Sequence, residues 1–150
     1  MNLKENIRFA RLFLLLLAIF TLGRWTLSLK QVPYDRGSPV FSLVTLTVLS
    51  CLYYSAFARR FNGYRVLQAV KLSMLLSFAS QLVILLSTLV SYLAGLDTYF
   101  NHPLALNVEA RIDIGQAMIA RGFGLFFNTL VNGSISGALG WAMGGLLPEK

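Results

Sequence analysis

Four long apolar runs constrain this chain more than any other feature of its sequence. They cover about residues 10–29, 40–58, 72–94 and 123–147. About 20 apolar residues in a helix cross the hydrocarbon core of a bilayer, and a soluble domain of this size would not contain four such runs. The sequence therefore predicts an all-α fold, a four-helix transmembrane bundle.

The composition favours the same class of protein. Of the 150 residues, 56% are hydrophobic and 13% are charged, which lies outside the range typical of soluble domains. The net charge of +7 does not indicate nucleic-acid binding, because the basic residues lie at the ends of the apolar runs and not along one solvated face. We expect a single integral membrane domain over residues 1–150, with no nucleic-acid partner.

The distribution of Lys and Arg predicts how the bundle is oriented. Basic residues precede the first run and lie between the second and third runs: Lys4, Arg8, Arg11, Arg59, Arg60, Arg65 and Lys71. Cytoplasmic loops carry such an excess, so both termini are predicted to be cytoplasmic, in a bacterial inner membrane. The first run is expected to be an uncleaved anchor, because Arg24 and Trp25 follow its apolar stretch where a signal peptidase site would be needed.

The connections between the runs carry turn and capping residues. Ser38-Pro39 is typical of a helix cap followed by a first-turn proline, and predicts the start of the second helix. Asn62-Gly63 predicts the turn into the third.

The longest connection extends from Gly95 to about Gly122 and contains scattered apolar residues. Asn107, followed by Glu109, predicts the capped start of a short amphipathic segment on the outer membrane surface. A bend at Gly115, or at Gly122 and Gly124, is predicted before the fourth helix.

Small residues recur at helical spacing in the last two runs. The fourth run contains Gly133, Gly137, Gly140 and Gly144, and the third contains Ser73, Ser77, Ser80 and Ser87. Glycines one turn apart allow a second backbone to approach closely, and hydroxyls donate across such a contact. Both sets are predicted to form helix-packing interfaces, within the chain or between subunits, and a glycine-lined channel or a groove for a lipid or pigment is the alternative.

Five polar residues inside or near the runs form the candidate ligand site: Arg24, Gln81, Arg121, Asn128 and Asn132. Gln81 lies near the bilayer centre, where its amide needs partners that Asn128 or Asn132 could supply. The charge of Arg24 either reaches the headgroups or, with Arg121, forms an anion or lipid-headgroup site at the outer interface. Pairing with Asp113 or Glu109 is the third interpretation.

The sequence contains no motif that indicates catalysis or metal binding. Asp97, His102, Glu109 and Asp113 match no metal-ligand spacing, and Cys51 is the single cysteine. No carboxylate lies inside a run, which disfavours proton-coupled transport. We therefore predict no enzyme activity, no metal and no cofactor, although a bound lipid or other apolar ligand is compatible with the pattern.

One short segment, Phe57-Ala58-Arg59-Arg60-Phe61-Asn62-Gly63-Tyr64-Arg65, resembles an Arg/Tyr-rich helix of the small four-helix membrane glutathione transferases. The resemblance covers nine of the 150 residues, and the Glu-Arg-x-x-x-Asn signature associated with that family is absent. It implies a glutathione- or lipid-modifying enzyme whose cofactor site would lie between Arg59 and Arg65.

The leading functional hypothesis is a small integral membrane subunit with an assembly or ligand-binding role. Its partners would be membrane lipids and either copies of itself or other membrane-protein subunits, and leucine at Gly137 or Gly140 would then break the assembly. An oligomeric channel or small-solute transporter is the alternative, with a polar path along Gln81, Asn128 and Asn132. The membrane enzyme is the third hypothesis.

Overall fold

The computed structural model describes residues 9–146, and these residues form helices joined by turns, with no strand among them. The predicted basic residues Lys4 and Arg8 and the predicted end of the fourth run at Leu147 lie outside the described residues. The helices are α1 (Arg11–Leu29), α2 (Tyr34–Gly37), α3 (Leu43–Asn62), α4 (Val66–Leu93), α5 (Pro103–Leu106) and α6 (Ile114–Gly144). The all-α prediction is therefore confirmed.

The four long helices alternate in direction, and the two single-turn helices lie in the long connections. Residues 30–42 and 94–113 therefore meet at one end of the bundle, which we call the loop end. The α3–α4 turn, the start of α1 and the last turn of α6 meet at the other, the hairpin end. Gly63 ends α3 there in the left-handed conformation, with φ 64°, so the turn predicted at Asn62-Gly63 is confirmed.

The start of the second long helix was predicted too early. The N–H of Ser38 donates to the carbonyl oxygen of Tyr34 at 2.8 Å, so Ser38 ends the extra turn α2 and does not begin α3. Ser42 caps α3 instead, and its hydroxyl accepts a hydrogen bond from the N–H of Thr45 at 3.3 Å.

The capping role predicted for Asn107 is also wrong. Asn107 ends α5 with φ 56°, a left-handed conformation that Asn adopts more readily than most residues. Asp113 caps α6, accepting from the N–H of Gln116 at 3.0 Å. The predicted amphipathic segment is thus reduced to the single turn of α5. Neither Gly115 nor Gly122 interrupts α6, because one glycine costs a helix only about 1 kcal/mol.

The first two glycines of the α6 series face the backbone of α4. A Cβ atom at Gly133 would lie 2.9 Å from the Cα of Met74, and one at Gly137 would lie 2.8 Å from the Cα of Val70. Real side chains do not approach a backbone this closely, so only glycine allows this separation between the two helices.

The other two glycines face the backbone of α3. Cβ atoms at Gly140 and Gly144 would lie 2.8 Å from the Cα of Leu52 and 2.9 Å from the Cα of Ala56. The glycine face of α6 is therefore occupied within the chain, by α4 over its first half and by α3 over its second. Contacts between copies of the chain would have to use other surfaces.

Hydroxyl groups of α4 bond to both neighbouring helices. Ser73 and Ser80 pair with hydroxyls of α3, at 2.7 Å to Ser55 and 2.6 Å to Thr47. Ser77 donates to the backbone carbonyl oxygen of Asn128 in α6 at 3.2 Å. Ser87 is also buried, and its carbonyl oxygen accepts from Ser91 within α4. The serine series thus places α4 between α3 and α6.

The bundle buries an apolar cluster that includes Phe13, Leu17 and Leu76 together with hydroxyl groups, and it also exposes many apolar side chains. The hydroxyls named above are buried, whereas large apolar side chains are exposed on every long helix: Leu12, Leu15, Leu22, Leu49, Leu82, Leu86, Phe123, Phe126 and Phe127. Two helices, α1 and α4, are long and apolar enough to cross a membrane by length and composition.

Replacing Gly140 by leucine should destabilise the fold itself. The new side chain would overlap the α3 backbone at Leu52, and overpacking of this kind costs about 1–3 kcal/mol. Cys51 is the only cysteine and is buried, so its labelling by a thiol-reactive dye on heating in detergent reports unfolding. We expect Gly140→Leu to be labelled at a lower temperature than the wild type.

Gly122→Ala is the matched control in the same helix, because a Cβ atom there would meet nothing within 4 Å. Its labelling temperature should equal or exceed that of the wild type. Equal labelling temperatures for Gly140→Leu and the wild type would contradict the packing described here.

Candidate anion-binding cleft

A cleft of about 310 Å³ opens at the loop end, where all four long helices and both connections contribute side chains. Two arginines from different helices, Arg24 of α1 and Arg121 of α6, line it. The other lining residues are Tyr34, Ser38, Pro39, Ser42, Leu43, Val44, Ile84, Phe100, Leu104 and Ala105. The structure therefore brings together the two arginines that the sequence proposed as one site.

Arg24 is held by the connections of the loop end. Its guanidinium donates to the carbonyl oxygen of Ser38 at 3.1 Å and lies 5.6 Å and 5.5 Å from the ring centroids of Tyr99 and Phe100. Cation–π contacts of this kind stabilise a charge without neutralising it. Tyr34 is a further neutral partner of the guanidinium, so the charge of Arg24 has no acidic partner among residues 9–146.

Arg121 is held by α4 and by the same loop residue. It donates from Nε to the hydroxyl of Thr88 at 3.0 Å and from a terminal nitrogen to the carbonyl oxygen of Phe100 at 2.6 Å. Both partners are neutral, so the charge of Arg121 is oriented but not compensated. Phe100 contacts both arginines, through its ring and its carbonyl group, which makes it the point where the two charges converge.

No carboxylate neutralises this pair among residues 9–146. Asp113 accepts from the first turn of α6, and Asp97 forms an exposed ion pair with Arg111 at 2.6 Å. The pairing of Arg24 or Arg121 with Asp113 or Glu109 is therefore wrong. Two partly buried cations with neutral partners favour the binding of an anion.

The first turn of α3 adds to this positive field. Ser42, Leu43 and Val44 line the cleft at the start of a helix of 20 residues. The first amide N–H groups of a helix lack intrahelical acceptors, and the helix dipole makes that end positive. The cleft thus combines two guanidinium groups with the N-terminal end of a long helix.

A hydrogen-bonded loop fixes the position of Phe100. The side chain of Asn101 accepts from the N–H of Thr98 at 2.8 Å and donates to the carbonyl oxygen of Leu96 at 2.8 Å. The hydroxyl of Thr98 bonds in turn to Ser91 of α4 at 2.7 Å and accepts from the N–H of Phe100 at 3.1 Å. All the groups in this network except Leu96 are buried, so the loop is a rigid part of the bundle.

Tyr99 ties the loop to the other connection. Its N–H donates to Ser28 of α1 at 2.9 Å, and its hydroxyl donates to the carbonyl oxygen of Val32 at 2.6 Å. Burial raises the pKa of this hydroxyl, although the nearby charge of Arg24 acts in the opposite direction, so Tyr99 stays a neutral donor. Gly37 makes this contact possible, because a Cβ atom there would collide with the hydroxyl of Tyr99.

A second cavity of about 430 Å³ lies next to the cleft and is lined mostly by polar loop residues. Tyr34 lines both cavities and therefore stands between them. Its ring stacks on His102 at 4.3 Å between centroids, with 9° between the ring planes, and makes an edge contact with Tyr99. His102 also caps α5 by accepting from the N–H of Leu104. Among the described residues, no group of three or more His, Cys, Asp or Glu side chains is placed to hold a metal.

The three predicted amides do not join the arginines. Asn132 donates to the side chain of Asn128 at 2.9 Å, within α6. Gln81 is buried, and among the described residues no hydrogen bond joins it to Asn128 or Asn132. The buried hydroxyl of Thr129 has no partner in this part of the chain.

The segment that resembles glutathione transferases forms a structural contact at the hairpin end. The guanidinium of Arg59 lies 3.8 Å from the ring centroid of Trp141 and donates to the carbonyl oxygen of that residue at 2.9 Å. The indole of Trp141 donates to the carbonyl oxygen of Tyr64 at 2.8 Å. These contacts attach the end of α6 to the α3–α4 turn.

Several residues of the cleft could not be identified from the sequence. Tyr34, Ser42, Thr88 and Phe100 belong to connections or to a helix interior and carry no motif. The one available signal was the position of Arg24 and Arg121 near the same predicted interface. Comparison with models of known protein families, with curated proteins and with solved structures finds no match to this chain.

Replacing Asn101 by alanine should loosen the loop that carries Phe100. The change leaves the N–H of Thr98 and the carbonyl of Leu96 without their partner, and lost hydrogen bonds to buried groups cost about 1–3 kcal/mol. Because the ring of Trp25 lies 5.7 Å from that of Phe100, tryptophan fluorescence on heating reports this region. We expect a lower transition temperature for Asn101→Ala.

Gln116→Ala is the control, because Gln116 is exposed and contributes only its backbone N–H to the cap of α6. Its fluorescence transition should match that of the wild type. A wild-type transition for Asn101→Ala would show that the loop network does not hold Phe100 in place.

Proposed function

We propose that this chain is an integral membrane protein in which all four long helices cross the bilayer. The support is the apolar outer surface: large apolar side chains are exposed on all four long helices, while hydroxyl groups and glycines are buried beside the apolar core. In α3 the hydroxyls of Thr47 and Ser55 are buried while Leu49 is exposed, and in α6 the glycines are buried while Phe123 and Phe126 are exposed. In water such an arrangement would expose apolar surface on every side of the bundle.

The positions of the charges agree with four crossings. The shortest long helix has 19 residues and is about 28 Å long, close to the thickness of the hydrocarbon core. Charged residues of the four helices lie within about two turns of a helix end, Arg24 and Arg121 included. The excess of Lys and Arg at the hairpin end favours a cytoplasmic position for that end, and the loop end then faces outward.

We propose that the protein binds an anion in the cleft at the loop end. The observation that carries the proposal is the convergence of Arg24 and Arg121 on Phe100 without a compensating carboxylate among residues 9–146. Keeping two cations partly buried costs free energy, and an anionic ligand would offset that cost with charge-assisted hydrogen bonds.

Transport through the bundle is the second candidate. The buried hydroxyl of Thr129, which has no partner among the described residues, and the buried side chain of Gln81 favour it, because a polar path needs hydrogen-bonding groups at membrane depth. The backbone contacts of Gly133 and Gly137 with α4 count against it, since they leave no space for a solute between those helices. Binding at the cleft is therefore the proposal that the geometry favours.

Anion binding should raise the thermal stability of the purified protein in a non-ionic detergent. A ligand that binds only the folded state stabilises it in proportion to the logarithm of its concentration. We expect sodium phosphate to raise the transition temperature above that in sodium chloride of equal ionic strength. Arg24→Gln and Arg121→Gln should each remove most of this difference.

Arg111→Gln serves as the matched control, because Arg111 is an exposed cation of the same loop end and its partner Asp97 is also exposed. It should retain the full phosphate effect, since exposed ion pairs contribute little. An equal phosphate effect in the wild type and all three variants would refute an anion site at the cleft.

A further inference from the structure

The cleft is lined by both polar and apolar residues, and this combination bears on the chemistry of the anion. The polar lining comprises Arg24, Arg121, Ser38 and Ser42, and Arg24 donates to the carbonyl oxygen of Ser38. The remaining lining is largely aliphatic: Leu43, Val44, Ile84, Leu104 and Ala105. A small hydrated ion would gain nothing from these aliphatic groups, whereas a ligand with an apolar part would bury them.

The aliphatic wall is continuous with the exposed surface of the bundle. Val44 is 52% exposed and Leu104 is 58% exposed, although both line the cleft. Val48 lies one turn beyond Val44 on the same face of α3 and is half-buried, so apolar surface continues from the cleft along the helix. If α3 crosses the bilayer, Val44 faces acyl chains.

Aromatic side chains border the cleft where it adjoins the second cavity. Tyr34 stands between the cleft and the second cavity, and it is packed on His102 and Tyr99. Trp25, the residue after Arg24, packs on Phe100 at the same level, where tryptophan is favoured by the membrane interface. If α1 and α6 cross the bilayer, the two guanidinium groups are close enough to the loop end to reach lipid phosphates.

We infer that the anion is the phosphate of an anionic phospholipid, whose acyl chain leaves the cleft over Val44 and Leu104. The inference rests on the proposed function, since it specifies the ligand of the same site. The phosphate would accept hydrogen bonds from Arg24 and Arg121, and the lipid would enter from the bilayer without passing Tyr34. Free phosphate and a lipid phosphate would bind the two arginines in the same way. Only the lipid would also contact the aliphatic residues of the cleft, so these residues distinguish the two ligands.

The test is native mass spectrometry of the protein released from nanodiscs made of equal parts phosphatidylcholine and phosphatidylglycerol. We expect wild-type protein to retain phosphatidylglycerol in preference to phosphatidylcholine. Arg24→Gln and Arg121→Gln should each lower that retention about tenfold, which is the loss expected for one charge-assisted hydrogen bond. Arg111→Gln should retain the lipid as the wild type does.

A variant of the aliphatic wall distinguishes the lipid from a free ion. Val44→Trp should fill the exit over α3 and lower phosphatidylglycerol retention, while the stabilisation by inorganic phosphate persists. Leu104→Trp is the second wall variant, used if the labelling temperature of Cys51 shows that Val44→Trp does not fold. Wild-type lipid retention in a folded wall variant would overturn the lipid inference.

The possible failures are distinguishable. Phosphate stabilisation that depends on Arg24 and Arg121, together with equal retention of the two lipids, would overturn the lipid inference and leave the anion site in place. If neither the phosphate stabilisation nor the lipid retention changed in Arg24→Gln and Arg121→Gln, the proposed function would be overturned as well.

Discussion

The contact between the glycine face of α6 and the backbones of α4 and α3 is the constraint on which the rest of the structure depends. Because Gly133 and Gly140 lack side chains, α6 lies against both helices along most of its length. Small hydroxyl side chains of α4 bond to both neighbours, Ser77 to the backbone of α6 and Ser73 and Ser80 to hydroxyls of α3. Large apolar side chains fill a core between α1, α3 and α4 and also cover much of the outer surface of the bundle.

The same contact positions the cleft. With α4 and α6 fixed side by side, Thr88 can accept from Arg121, and the loop after α4 brings the carbonyl of Phe100 to the same guanidinium. α1 is joined to this unit mainly at its ends. Tyr54 accepts from the N–H of Phe13 at the hairpin end, and Arg24 lies over Phe100 at the loop end. One cation therefore comes from the tightly packed part of the bundle and the other from its most exposed helix.

Sequence patterns predicted the parts of the structure that depend on local chemistry. Helix content and the turn at Gly63 followed from hydropathy and turn residues, and the association of Arg24 with Arg121 was one of three interpretations of the charge positions. The cap of α3 and the role of Asn107 were predicted wrongly, because several Ser, Asn and Asp residues compete as caps and tertiary contacts decide among them. Whether Asn128 or Asn132 faces Gln81 depends on how α6 is rotated about its own axis. The positions of the asparagines in the sequence do not determine that rotation. The role of Phe100 could not be predicted, because its hydrogen bond with Arg121 uses the backbone carbonyl group, which every residue has.

The central claim is that all four long helices cross the bilayer. Measuring on which side of the membrane each connection lies tests this claim directly. Single cysteines at Arg36, Asn62 and Glu109, introduced into a Cys51→Ala chain, would be labelled in intact cells or sealed vesicles with a membrane-impermeant maleimide. Four crossings predict that Arg36→Cys and Glu109→Cys are labelled from one side and Asn62→Cys from the opposite side. If only α1 and α4 crossed, Arg36→Cys and Asn62→Cys would share a side opposite to Glu109→Cys, and that result would contradict the account.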